Sequence, residues 1–227
     1  MIPLKDDNPR LAFPLINTLL IVANVVVFLH QILLPKAAAL AFIHTYGAIP
    51  GLITQGSHYS TLFTSMFLHG GILHIAGNML YLFIFGDNIE GLMGSARYAI
   101  FYVLCGLGAA WSHILFDPTS NLPMVGASGA ISGVMGAYMV SYPKARVLVL
   151  FPIFIFYVTT FHVPALVVLG LWFLNQVVSG LVFSDSGMGQ GGVAWFAHIG
   201  GFVIGLVLVK VFAKKSRRHL GWGYEHD

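Results

Sequence analysis

The chain has 227 residues, of which 57% are hydrophobic and only 8% charged, against roughly 25% charged in soluble domains. A mean hydropathy of +0.83 and a single cysteine, Cys105, exclude an ordinary soluble domain and a disulfide-stapled one, and indicate a multi-span membrane protein built as one bundle with short loops. The net charge of +3 implies no nucleic-acid partner, because the basic residues flank apolar segments as topology signals do instead of forming a binding face.

Residues 1–12 are polar, carry Lys5 and Arg10, and are expected to form a cytoplasmic N-terminal segment. The apolar run 13–34 has 22 residues, longer than the roughly 7–15 of a signal-peptide core, so it reads as an uncleaved membrane helix. The connection 35–71 is rich in Gly, Pro, Thr, Ser and His, holds one formal charge at Lys36, and is apolar enough to lie partly in the membrane interface. Further helices are predicted over 72–88, ending at Asp87 and Glu90, over 96–116, closed by Asp117-Pro118, and over 127–142, stopped by Pro143-Lys144. The stretch 147–161 is apolar, β-branched and aromatic, but has only 15 residues with Pro152 inside; a span needs about 20. It is assigned to an interfacial or partly buried loop. The last two helices, 164–183 and 194–212, flank the glycine-rich loop 184–192, and a basic tail occupies 214–227.

The expected fold is therefore all-α, a six-transmembrane-helix bundle over 13–213. With both termini cytoplasmic, ten of the eleven Lys and Arg residues lie inside and only Lys36 outside, as the positive-inside rule requires. Counting 147–161 as a seventh span would move the basic tail to the other side. The absence of a targeting segment and the short loops favour a bacterial inner membrane.

This topology supplies a geometric test. The helices beginning at 72, 127 and 194 run in one direction, so their N-terminal ends share the outer side. Those ends carry His74 and Asn78, Ser128, and His198. Polar side chains at membrane depth are costly and mark either a site or a hydrogen-bonded pair. Gly129, Gly133 and Gly136 on one helix, and Gly201 and Gly205 on another, have the spacing that lets membrane helices approach closely, which would bring Ser128 to His198 as nucleophile and base. His74 and Asn78 are four residues apart on one helix face, so both can donate to one anionic oxygen. The helix 127–142 covers only about 24 Å against roughly 30 Å of hydrocarbon. Its N-terminus then sits below the surface, reached by irregular backbone that must be buried in protein or line a watery cavity. Taken singly, each residue also fits a structural role: a serine in a membrane helix commonly bonds back to its own backbone, a histidine often joins two helices, and glycines occur in any tight bundle.

Four blocks carry a resemblance to a known family: 67–78 (FLHGGILHIAGN), 90–98 (EGLMGSARY), 126–129 (GASG) and 197–201 (AHIGG) followed by Gly205. In this order the chain resembles the bacterial rhomboid family of intramembrane serine proteases over nearly its whole length. The resemblance implies a Ser–His dyad with Ser128 as nucleophile and His198 as base. It also implies an oxyanion hole from His74, Asn78 and the Ser128 N–H, with His69 ordering the first external loop and Gly126, Gly129, Gly201 and Gly205 in support. No metal or cofactor is implied, and the substrates are single-pass membrane proteins cut in or near their transmembrane segment. Two features depart from the pattern. Ser132 stands where some members place a tyrosine that stacks on the base histidine, and the Trp-Arg pair of the first loop is missing. No Asp or Glu is evident near His198, so the dyad is expected to lack a carboxylate orienter. The alternatives are a non-catalytic rhomboid-like protein that binds transmembrane helices, which needs none of these four polar residues, and a histidine-ligated haem bundle. No oligomeric state follows from the sequence.

Overall fold

The computed structural model describes residues 1–154, 157–183 and 194–214; the glycine-rich loop and almost all of the basic tail lie outside them. A short strand β1 (Ile2–Asp6) leads to α1 (Leu15–Leu33). The long connection folds into short helices α2 (Lys36–Tyr46), α3 (Pro50–Thr54) and α4 (Thr61–Thr64), then one 3-10 turn over Ser65–Phe67. After it come α5 (Ile72–Met93), α6 (Ser95–Phe116) and α7 (Ser128–Ser141), a hairpin of β2 (Arg146–Phe154) and β3 (Tyr157–Pro164), and finally α8 (Ala165–Phe183) and α9 (Trp195–Phe212). Five helices, α1, α5, α6, α8 and α9, are long and apolar enough to cross a membrane by length and composition.

The remaining predicted helix, 127–142, is α7. Its 14 residues extend only about 21 Å, and every side chain from Ala130 to Tyr138 is buried. It lies against α5, α6 and α9 at the centre of the main apolar cluster, which includes Phe85, Phe101, Val134 and Phe202. Glycine determines how close α9 comes. A Cβ at Gly201 would run into the Gly129 carbonyl, and one at Gly205 into the Gly133 carbonyl. The two backbones are in direct contact there, an arrangement only residues without side chains permit.

Two expectations are corrected. The fold is not purely helical: β1, β2 and β3 form a three-stranded antiparallel sheet in that order, so the described residues of 147–161 form paired strands where an interfacial or partly buried loop is expected. The β-branched and aromatic residues there suit a pleated strand. The polar N-terminal segment supplies the third strand, pairing Ile2 with Leu150 and Asp6 with Val147. Asp6 ties this sheet to the ends of α5 and α7 opposite Ser128, accepting from Tyr138 Oη at 2.5 Å and Asn88 Nδ2 at 2.9 Å. Burial pushes its carboxyl up to about 6, against the lowering effect of the Tyr138 hydrogen bond.

Second, α5 continues past Asn88 to Met93, because the carboxylates read as its end have partners. Asp87 accepts from Arg10 Nε at 2.9 Å. Glu90 accepts the backbone N–H groups of Ile16 and Asn17 at 3.0 and 2.8 Å and the Ser95 hydroxyl at 2.5 Å. The first two are donors that the N-terminus of α1 cannot satisfy internally, so Glu90 caps α1 from the neighbouring helix.

Candidate active site

The N-terminal ends of α5, α7 and α9 converge. Ser128 is the first residue of α7, so its N–H and those of the next residues have no acceptor within the helix and carry the positive end of its dipole. Gly126, two residues earlier, has φ +127°, a backbone conformation that L side chains rarely adopt. A Cβ there would also lie 2.8 Å from His74 Nε2. The turn into α7 thus requires glycine twice over, for its dihedral and for its contact with His74.

The irregular approach to α7 has its backbone satisfied by protein. Ala48 and Met124 exchange N–H···O bonds of 2.8 and 3.1 Å, and the Gly126 N–H donates to the Ser65 carbonyl at 2.9 Å. The short helices of the first loop are what make this buried non-helical backbone tolerable.

His198, in the first turn of α9, brings Nε2 to 2.7 Å from Ser128 Oγ. Its other nitrogen, Nδ1, is 2.8 Å from Gln176 Oε1 of α8. The Trp172 ring, one turn before Gln176, lies 5.8 Å from the imidazole centroid at a tilt of 39°, and Trp195 meets it edge-on at 6.5 Å. Aromatic contact on this histidine therefore comes from α8 and α9. Ser132 instead donates to the Ser128 carbonyl at 2.6 Å, the back-bonding role common for membrane-helix serines.

On α5, the Gly70 N–H donates to His74 Nδ1 at 3.3 Å. Neutral His74 then carries its proton on Nε2, the nitrogen facing Gly126. One turn further, Asn78 is buried and its Nδ2 has no hydrogen-bond partner, a state it shares among the described residues with both ring nitrogens of His69 and with single atoms of Asn24, Tyr102 and His113. His69 stands behind, its ring edge-on to His74 at 5.1 Å. Its N–H donates to Gln31 Oε1 at 3.1 Å and its carbonyl accepts from Gln31 Nε2 at 3.2 Å, which fastens the start of this segment to α1. Burial, then the nearness of a second titratable imidazole at His74, pull the His69 imidazole down to about 4. A cavity of about 40 Å³ opens beside Ser128, lined by Met66, Gly106, Ala109, Gly126 and Ala197 among others.

Ser128 and His198 meet directly; Gly126 lies beside both His74 and Ser128, Asn78 is one turn along α5 from His74, and His69 stands behind His74. Gln176, Trp172 and Gln31 are additional residues that the sequence reading passed over. Among the described residues no group of three or more His, Cys, Asp and Glu is arranged to hold a metal ion.

Comparison with known proteins points to the same family over a shorter stretch, which starts after the first helix. A Rhomboid domain model matches residues 56–215. The chain is similar to RHOMBOID-like protein 4 of Arabidopsis thaliana, 32% identical over 75% of this chain and 38% of that protein. It is also similar to Rhomboid protease GluP of Bacillus subtilis, 39% identical over 39% of this chain and 17% of that protein. A third relative is Inactive rhomboid protein 1 of Drosophila melanogaster, 34% identical over 34% of this chain and 5% of that protein. The chain thus spans well under half the length of these curated relatives. A domain match over most of the chain, which takes in α5, α6, α8 and α9 of its five membrane-length helices, makes this multi-pass membrane protein a member of the rhomboid family.

Proposed function

We propose that the protein is an intramembrane serine endopeptidase in which Ser128 is the nucleophile and His198 the general base. The observation that carries this is the 2.7 Å contact between Ser128 Oγ and His198 Nε2 at a helix N-terminus that faces donors on α5. Nucleophile and base within hydrogen-bond reach, with the base held by a further group, is the signature of an activated serine.

His198 Nε2 takes the Ser128 hydroxyl proton as Oγ attacks the scissile carbonyl carbon. The oxygen becomes anionic within reach of the Ser128 N–H, His74 Nε2–H and Asn78 Nδ2–H. Donors aimed at a developing charge in a water-poor site act strongly because nothing must reorganise. The tetrahedral carbon collapses, the C–N bond breaks, and the proton on His198 passes to the leaving amine. Water then attacks the acyl-enzyme, again with His198 as base, and releases the carboxyl product. The cavity beside Ser128 is several times the volume one water needs. No metal or organic cofactor enters any of these steps.

The substrates in this proposal are single-pass membrane proteins cut in or near their transmembrane segment. The domain is a six-helix bundle over 13–213 in a bacterial inner membrane, with α7 as the short central helix, both termini cytoplasmic and Ser128 towards the outer face. The distribution of Lys and Arg supports this orientation.

Cleavage of a transmembrane reporter in lipid vesicles tests the proposal. The parent and Ser141→Ala, altered at the far end of α7, should cut it. Ser128→Ala and His198→Ala should lose at least 10³-fold, and variants that cut like the parent would refute it.

A further inference from the structure

The base histidine has a partner on each ring nitrogen, and the second one has no role in the steps above. Gln176 is only 4% exposed, in a helix otherwise dominated by apolar residues. Its Oε1 is 2.8 Å from His198 Nδ1, and its Nε2 donates to the Trp172 carbonyl at 3.4 Å.

A side-chain amide has one accepting end and one donating end. The Trp172 carbonyl can only accept, so the NH2 end faces it and the oxygen faces the imidazole. An acceptor opposite Nδ1 requires the proton on Nδ1. The neutral ring then has its lone pair on Nε2, 2.7 Å from Ser128 Oγ, and this is the tautomer able to receive the hydroxyl proton. The opposite tautomer would set two lone pairs against each other at Gln176 and present an N–H to the serine. Trp172, packed against the same ring, restricts its tilt from one turn away on the same helix.

We propose that Gln176 is the positioning residue for His198: an uncharged third member that holds the base in its Nδ1–H tautomer. Resting on the serine-hydrolase proposal above, it names a group that lies outside the four blocks carrying the family resemblance. A neutral amide orients the imidazole without bringing a second charge into the membrane interior, where an ionised carboxylate is costly. It needs only to bond with Nδ1–H, the function a carboxylate performs in soluble triads.

Two variants of the full chain separate positioning from packing. Gln176→Met keeps length and volume but removes the acceptor. Gln176→Glu keeps an acceptor towards Nδ1 whether ionised or protonated. The expected result on a transmembrane reporter is that Gln176→Met lowers kcat and the rate of fluorophosphonate labelling at least tenfold with KM within twofold. Gln176→Glu should recover most of the loss. Turnover of Gln176→Met within twofold of the parent, or Gln176→Glu as slow as Gln176→Met, overturns the proposal. Nitrogen NMR of the parent labelled on its ten histidines, with His198 assigned by its loss in His198→Gln, decides the matter without any variant at Gln176 and without activity. A protonated Nδ1 is expected, and a proton on Nε2 refutes it. A parent that neither labels nor cleaves would instead sink the hydrolase proposal, leaving the tautomer as an independent result.

Discussion

Gly201→Ala places one methyl group in the α7–α9 contact, one turn after His198. Its Cβ would lie 3.0 Å from the Gly129 carbonyl carbon, nearer still to that carbonyl oxygen, and 3.3 Å from Ala109 Cβ. Ordinary carbon contacts are about 3.5–4.0 Å, so α9 must withdraw from α7 by roughly 1 Å. The Ser128–His198 distance, now 2.7 Å, would become about 3.7 Å, past the hydrogen-bond limit. A misplacement of about 1 Å is worth on the order of 10²-fold in rate, or about 2.7 kcal/mol of barrier. Stability changes less. Overpacking costs about 1–3 kcal/mol, but alanine is favoured over glycine in a helix by about 1 kcal/mol, leaving a net loss of roughly 0–2 kcal/mol. The variant should therefore remain folded while reporter cleavage falls about a hundredfold. Thermal unfolding and kcat/KM measured on the same sample separate the two effects. Gly170→Ala is the control: nothing lies within 4 Å of its Cβ, so it should unfold no earlier than the parent and cleave equally well. Gly201→Ala with parental turnover would refute the claim that this backbone contact sets the serine–histidine distance.

Other outcomes follow from the same geometry. Asn78→Ala should lower kcat by about 10²–10³, the usual effect of losing one oxyanion donor, without lowering thermal stability, because its Nδ2 makes no hydrogen bond to lose; a large drop in melting temperature would show a structural role instead. Glu90→Ala removes acceptors from two backbone N–H groups of α1 and from Ser95, and should cost about 1–3 kcal/mol in chemical or thermal unfolding while leaving KM unchanged. Asp6, whose carboxyl burial raises from 3.8 to about 6, favours its protonated form in the folded state. Its contribution to stability is therefore full below 3.8 and is lost as pH rises through about 6. The stability difference between parent and Asp6→Asn should shift in the parent's favour on acidification from pH 7 towards 4, and a difference independent of pH would contradict the buried environment at Tyr138.

What the sequence made legible follows physical range. Membrane-length apolar runs stand out because backbone satisfaction in lipid leaves few options besides helices, so the long helices fall near their predicted limits. The coincidence of His74, Asn78, Ser128 and His198 at three co-directional helix starts needed only a topology count. The sheet was hidden because its third strand is the polar segment Ile2–Asp6, whose partner lies more than 140 residues away, and no local pattern reports such pairing. The end of α5 is not legible because Asp87 and Glu90 look like solvated stop signals, while Arg10 and the start of α1 meet them in the fold. Gln176 left a readable signal. Ala165, Val168, Leu169, Gln176 and Ser179 are all buried, at spacings that trace one helix face, and a polar side chain on such a face demands a partner. Asn17, Asn24 and Gln31 mark the inward face of α1 in the same manner, seven residues apart and all buried.

The central claim is that Ser128 is made nucleophilic by His198 at the start of α7. Its most direct test is mass-spectrometric location of a fluorophosphonate adduct on the folded protein in lipid. The account predicts one adduct, on the peptide containing Ser128, abolished by His198→Ala although the serine remains. An adduct on any other serine, or unchanged labelling of Ser128 without His198, would contradict it.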